Sequence, residues 1–242
     1  MPNLATLSAF FVGMTQVKFA MVEKWEFAII ALIAAAFLDA MDGRLARLFN
    51  SCSRFGAELD SLSDFAVFGV APAMVMYLYC LSHLNRLGWI LAIFFAICVC
   101  LRLARFNTHD IENVKTPFSG KFFTGVPAPA GAILALFPVI LFNAFELDFF
   151  KNPYFSGVNM VVVGTLCISK LPTPSIKNLH INREQYIPFL LGVIVMIGII
   201  FTYTWKAFSF VIFSYIVSLF FCKRRAKKIL NTLLNDQAAA NK

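Results

Sequence analysis

The sequence predicts an all-α fold: a polytopic membrane bundle of about eight transmembrane helices with both termini cytoplasmic. Three observations predict it. Residues of the set Ala, Val, Ile, Leu, Met, Phe, Trp, Tyr and Cys make up 60% of the 242-residue chain, and Asp, Glu, Lys and Arg only 14%. Ordinary globular proteins have roughly 45–50% and about 25%. The apolar residues, 28 phenylalanines among them, fall in runs long enough to cross a bilayer, which takes about 20 residues. Finally, the lysines and arginines collect on one side of those runs. A soluble domain has too much surface to hide so much apolar side chain, so lipid must solvate part of it. Soluble enzymes, disordered tails and secreted disulfide scaffolds are excluded.

The chain opens on MPNLATLSAFF, which lacks the basic start and small-residue cleavage site of a signal peptide. It reads as the start of a retained helix, residues 4–21. A second run covers 26–43 and a third 57–81, with a short basic loop between them that makes the two helices antiparallel neighbours. Further runs follow at 87–106, 124–145, 156–170, 186–203 and 206–222; the sixth is short, and only a few residues separate the last two. An even number of spans puts both termini on one side. Sixteen lysines and arginines then fall on that side and four on the other, with Lys18 left inside the first span. By the positive-inside rule the side with the termini is cytoplasmic, which predicts a multi-pass protein of the inner (cytoplasmic) membrane. Residues 1–222 form the transmembrane domain and 223–242 a basic cytoplasmic tail.

The net charge of +8 therefore reflects topology and anionic headgroups, and nucleic acid is not an expected partner. In the tail, KRRAKKILNTLL puts Ile229, Leu230, Leu233 and Leu234 at helical spacing beside a basic cluster. An amphipathic helix on the inner leaflet and a plain stop-transfer cluster are both open readings. The six cysteines lie mostly in apolar runs without a CxxC pair and read as small buried hydrophobes. His83, His109 and His180 are too scattered for a metal site. No internal repeat is evident, which argues against inverted-repeat transporters.

The chemistry concentrates in DAMDGRLARLFNSCSRFGAELDSLSD, residues 39–64. Carboxylates at membrane depth are expensive and normally functional. Asp39 and Asp42 stand i, i+3 at the end of the second span, and Asp60 and Asp64 i, i+4 at the start of the third, so each pair shares a helix face. Four uncompensated carboxylates repel one another, and one or two divalent ions resolve the conflict. An all-oxygen donor set favours Mg²⁺ or Mn²⁺, or Ca²⁺ after them, over zinc. Two such ions are a familiar clamp for phosphoryl transfer. Gly43 and Gly56 allow close backbone approach of a pyrophosphate, and Arg47 supplies a guanidinium fork for phosphate. The competing reading is a set of structural salt bridges to Arg44, Arg47 and Arg54. It does not require both carboxylate pairs to occupy shared faces.

At every fixed position this segment resembles the signature D-x2-D-G-x2-A-R-x8-G-x3-D-x3-D of the CDP-alcohol phosphatidyltransferases. The matching residues are Asp39, Asp42, Gly43, Ala46, Arg47, Gly56, Asp60 and Asp64. Members of that family are integral membrane enzymes, typically dimeric, that displace CMP from a CDP-linked lipid or alcohol. The resemblance implies that Asp39, Asp42 and Asp60 are metal ligands. It makes Asp64 the general base that also reaches a second ion, and Gly43, Ala46, Arg47 and Gly56 the nucleotide and pyrophosphate cradle. Pro2-Asn3-Leu4-Ala5-Thr6 is similar to the family's P-N-x-x-T opening, which brings Asn3 and Thr6 to the nucleotide. FGAELDSLSDFAVFGVAPA (55–73), RLARFN (102–107), FTGVPAPAGA (123–132) and KLPTPSIK (170–177) resemble the phosphatidylserine synthase branch of the family.

That branch implies CDP-diacylglycerol and L-serine as substrates, membrane lipids as surroundings and a homodimer as the assembly. The active site would face the cytoplasm. Serine brings a carboxylate and an ammonium. Arg102 and Arg105, i, i+3 at the end of the fourth span with Asn107 just beyond, offer a fork for the carboxylate; snorkelling to lipid phosphates is the open alternative. Lys121 is a candidate for the lipid phosphate or a topological lysine, and Glu58 for the serine ammonium or a partner of Arg54. The Pro127/Pro129 and Pro172/Pro174 pairs read as rigid loop geometry. Two other functions compete: the same transfer to glycerol-3-phosphate, inositol or another alcohol, and divalent-cation transport. A phosphorylated acceptor calls for a denser cationic pocket than Arg102 and Arg105 supply. Transport calls for acids near mid-membrane without a glycine-rich cradle.

Overall fold

The computed structural model describes residues 2–48, 54–112, 122–169, 172–174 and 204–218. The expected span 186–203 and the basic tail 223–242 lie outside the described residues. The chain divides into two units, Met1–Val114 with Pro127–Ile168, and Lys115–Val126 with Ser169–Lys242. The described secondary structure is helical apart from one short antiparallel ribbon. Among the described residues, two continuous helices are long and apolar enough to cross a membrane, Phe55–Tyr79 and Arg86–Thr108. A bent helix pair, taken as one span, makes a third.

In the first unit, α1 (Pro2–Met21) starts on a proline, tolerated there because the first helical N–H has no intrahelical partner anyway. Its buried stripe is Thr6, Ala9, Gly13, Gln16 and Ala20, a spacing of three and four residues. Leu4, Leu7, Phe10 and Phe11 are exposed. The helix is apolar on most faces, so smallness marks the inward side, as expected where lipid surrounds the outside. The helix ends with Glu23 in the left-handed region (φ 58°). Glu23 N–H donates to Ala20 O, and Lys24 N–H to Phe19 O, which closes the last carbonyls in a Schellman pattern. Helix α2 (Trp25–Leu48) then runs back against α1. Ala28, Ile29, Ala31, Leu32 and Ala35 are its buried side.

The expected third span is one helical rod with a change of winding inside it: α3 (Arg54–Asp64), a π-helical turn (Phe65–Val70) and α4 (Ala71–Tyr79). The cause is Pro72. It has no N–H to donate, and Ala71 N–H reaches five residues back to Ala66 O. Neither residue therefore serves the carbonyl of Val67. That carbonyl accepts instead from Gln16 Nε2 of α1 at 3.0 Å. A tight turn through Leu81–Leu84 and Asn85 (φ 50°) leads into α5 (Arg86–Glu112).

The expected fifth span, 124–145, is corrected. Residues 122–124 are extended, and the helical part is broken into α6 (Ala128–Ala135) and α7 (Phe137–Phe145), which are bent by 48°. Pro138 is the reason: it offers no N–H to Leu134 O, while Val139 N–H turns to Leu136 O. The carbonyls of Leu134 and Ala135 accept from Asn159 Nδ2 of α8 (Pro153–Ile168), at 3.0 and 3.1 Å. Pro127 precedes α6, but Pro129 lies in its first turn and Pro172 and Pro174 form a strand, so only Pro127 stands in a connection as expected. Edge-on ring pairs mark the turn end of the bundle, Trp25 with Tyr79 and Tyr77 with Trp89, each at 5.2 Å. Trp and Tyr concentrate where bilayer meets water.

The second unit holds the ribbon and α9 (Thr204–Ser218). Strands β1 (Phe122–Thr124) and β2 (Pro172–Pro174) pair antiparallel with Phe123 opposite Thr173.

Gly88 is the tightest point of the turn between the third span and α5: a Cβ there would lie 1.8 Å from the carbonyl oxygen of Leu81. Gly88→Ala should therefore destabilise the bundle by about 1–3 kcal/mol, measured as a lower thermal unfolding midpoint. An unchanged midpoint would mean that this turn yields without cost.

Candidate functional site

Three helix ends build the site. The last turns of α2 carry Asp39, α3 carries Asp60 and Asp64 one turn apart, and the last turns of α5 carry Arg102, Arg105 and Asn107. The aspartate-bearing faces of α2 and α3 meet. Carboxylate oxygens of Asp39, Asp60 and Asp64 all lie within 4.8 Å of one another, and all three residues are partly buried. Asp39 and Asp64 are within hydrogen-bonding reach, and both Asp60 and the Arg102 guanidinium act on Asp64 through space.

Three carboxylates this close repel one another unless positive charge stands among them. Arg102 supplies part of it. Opposite ligands of a single Mg²⁺ lie about 4.2 Å apart, and those of Ca²⁺ about 4.8 Å. The three acids are thus spaced as one coordination shell requires, and their donor set is oxygen alone. The residues present fit a divalent ion.

Other expected site residues are placed as follows. Thr6 is buried, on the inward stripe of α1. Gly56 is half-buried and Glu58 is exposed, both on α3. The side chains of Asn3, Asp42, Ala46 and Arg47, the surroundings of Gly43, and Lys121 lie outside the described residues. Arg102 and Arg105 have different partners. Arg102 faces Asp64, whereas Arg105 Nη1 donates to the carbonyl of Ile168, the last residue of α8, at 3.2 Å. A cation at a helix C-terminus satisfies a carbonyl that the helix cannot.

Asn107 turns to α3. Its Nδ2 donates to Ser61 Oγ at 2.9 Å, and Ser61 Oγ lies 3.0 Å from Ala57 O and 3.3 Å from Asn107 Oδ1. The pair links α5 to the residue next to Asp60. Sequence reasoning passed over Ser61, which looks like an ordinary small polar residue in a helix. It also passed over Gln16, although an amide in the middle of an apolar span is a signal in itself.

A model of the CDP-alcohol phosphatidyltransferase family matches residues 1–169. The chain belongs to that family. The matched residues of this phosphatidyltransferase-family chain hold every site residue expected from the sequence. Several curated proteins named CDP-diacylglycerol–serine O-phosphatidyltransferase are similar to it. That of Helicobacter pylori J99 is 37% identical over 191 residues, 78% of either chain. That of Bacillus subtilis 168 is 33% identical over 177 residues, 73% of this chain and 90% of the relative. The Mycobacterium tuberculosis H37Rv protein is 36% identical over 180 residues, 74% of this chain and 62% of its own length. The chain thus spans a little under two thirds of the mycobacterial relatives it matches.

If the Ser61–Asn107 bond fastens α5 to α3, Ser61→Ala and Asn107→Ala should be non-additive. The expected coupling is about 1 kcal/mol in a double-mutant cycle read by thermal unfolding. Strict additivity would show that the two side chains do not hold the helices together.

Proposed function

We propose that this protein transfers the phosphatidyl group of CDP-diacylglycerol to the hydroxyl of L-serine, giving phosphatidylserine and CMP. The observation that carries the reading is the convergence of Asp39, Asp60 and Asp64 from two helices onto one point beside Arg102. The names of the similar proteins support serine as the acceptor.

In this reading the serine oxygen forms a bond to the lipid-linked phosphorus as the bond from that phosphorus to CMP breaks. An alcohol is a weak nucleophile at neutral pH, so a base must take its proton as the new bond forms. Asp64 is the proposed base. Asp39, Asp42, Asp60 and Asp64 are the proposed holders of Mg²⁺ or Mn²⁺, in one or two ions. A divalent ion held by these carboxylates would supply positive charge against the diphosphate and the charge that develops on CMP. Gly43, Ala46, Arg47 and Gly56, with Asn3 and Thr6 of α1, hold the nucleotide and its diphosphate. Arg102 receives the serine carboxylate, while Arg105 and Asn107 fix the end of α5 around it. Lys121 meets the lipid phosphate and Glu58 the serine ammonium.

The proposed setting is a homodimer in the cytoplasmic membrane. Each chain has a transmembrane domain over 1–222 with eight spans, both termini and the active site on the cytoplasmic side, and a basic tail over 223–242.

Purified protein supplied with CDP-diacylglycerol and Mn²⁺ or Mg²⁺ should release CMP and form phosphatidylserine only when L-serine is added. Release with glycerol-3-phosphate or inositol instead would keep the carboxylate site and replace the acceptor. Metal flux across vesicles without CMP release would overturn the transfer reaction altogether. Asp64→Asn should lower turnover at least about a hundredfold while CDP-diacylglycerol still binds; near-native turnover would remove Asp64 as the base. Arg102→Lys should raise the KM for serine more than that for CDP-diacylglycerol, and Arg105→Lys should raise it less. Equal serine KM values in wild type and Arg102→Lys would take Arg102 out of the acceptor pocket.

A further inference from the structure

Gln16 sits at the centre of α1 with no exposed surface, in a segment where the proposed chemistry uses only Asn3 and Thr6. A buried amide between apolar helices is costly unless it makes hydrogen bonds. Nε2 of Gln16 makes two, to Gly13 O in its own helix at 2.7 Å and to Val67 O at 3.0 Å. Both partners are acceptors, which sets the orientation of the amide.

The second bond matters because of where Val67 lies. The π-helical turn begins at Phe65, immediately after Asp64, and Val67 is its third residue. Pro72 and the Ala71–Ala66 bond leave Val67 O unserved by its own helix, and no water is available among apolar side chains to take over. The contact surface points the same way. Gly13 lies against Val67 so closely that a Cβ would come within 2.4 Å of Val67 Cγ1. Gln16 and Gly13 thus grip the same residue, one by a hydrogen bond and one by shape. Winding in this turn sets the direction in which Asp64 leaves the helix.

We infer that Gln16 is a positioning residue for the carboxylate site: by holding the carbonyl of Val67 it fixes the π-helical turn that aims Asp64 at Asp39 and Asp60. The inference rests on the proposed reading of those carboxylates as a divalent-metal site. Gln16 touches neither metal nor substrate. Its effect passes through the backbone, as outer-shell partners act on metal ligands.

The test is Mn²⁺ binding to the full-length protein in nanodiscs, followed by electron paramagnetic resonance of the free ion. Gln16→Met keeps the side-chain volume and removes both donors. It should weaken Mn²⁺ binding about tenfold or more and lower kcat with little change in the serine KM. Adding Pro72→Ala returns a backbone N–H that can reach the starved carbonyl, so the double variant should recover most of the lost affinity. Asn159→Leu is the control. It removes the equivalent amide at the other proline break and should lower thermal stability while leaving the Mn²⁺ affinity within twofold of wild type. If Gln16→Met does not fold, Gly13→Ala carries the test, because its Cβ displaces Val67, and the same weakening is expected.

Wild-type binding that Asp39→Asn abolishes but Gln16→Met or Gly13→Ala leaves within twofold would overturn the role of Gln16 and keep the metal site. Failure of Pro72→Ala to restore affinity, or an equal loss in Asn159→Leu, would reduce Gln16 to general stability and overturn the inference. Absence of Mn²⁺ binding to the wild type would overturn the metal reading, and the positioning role with it.

Discussion

A backbone carbonyl buried among apolar helices must find its donor inside the protein, and much of this structure follows from that constraint. Two prolines, Pro72 and Pro138, withhold donors in the middle of otherwise regular helices. The first widens the third span into a π-helical turn, and the second bends the fifth. At each break an amide on a neighbouring helix repairs the ladder, Gln16 at Val67 and Asn159 at Leu134 and Ala135. The irregularities are thereby tied to particular neighbours. α1 cannot slide along the third span, nor α8 along the fifth, without stranding a carbonyl.

The carboxylate site draws on the same economy of polar groups. Asp39, Asp60 and Asp64 stand close enough to destabilise one another, and the surrounding residues answer with charge and tethering. Arg102 faces the acids, Arg105 is occupied by the end of α8, and Asn107 ties α5 to α3 beside Asp60. Arg102, Arg105 and Asn107 each engage a different helix or group. The acids are therefore not a loose acidic patch: they hang from a frame whose members are fixed independently.

Much of this is legible in the sequence. The i, i+4 spacing puts Asp60 and Asp64 on one helix face, and the few residues between α2 and α3 keep that face within reach of Asp39. Run length places α1, α2, the rod of α3 and α4, and α5, although α2 runs on to Leu48 and α5 to Glu112, past the ends that the apolar runs suggest. Burial was harder to read. In α1 the inward residues are Thr6, Ala9, Gly13, Gln16 and Ala20 while Phe10 and Phe11 face outward, so a rule that seeks the core by hydrophobicity picks the wrong face. Pro72 and Pro138 are plain in the sequence, but what each does depends on which donor stands opposite, and that is a fact of tertiary structure. The same holds for Arg102 and Arg105. Spacing gives them one face, and only the position of Ile168 separates their partners.

The ribbon of β1 and β2 has a one-sidedness that its size conceals. Phe123 faces Thr173, and Pro172 and Pro174 flank it. Only Thr173 in β2 has an N–H, so the ladder to β1 must use it, and its hydrogen-bonding groups point toward Phe123. The outward edge of β2 would draw its donors from the two prolines, which have none. Another extended segment arriving there would meet carbonyls alone and could not continue the sheet. Two segments of the chain can thus be laced to one another without becoming a template for a third strand, their own or that of a neighbouring molecule.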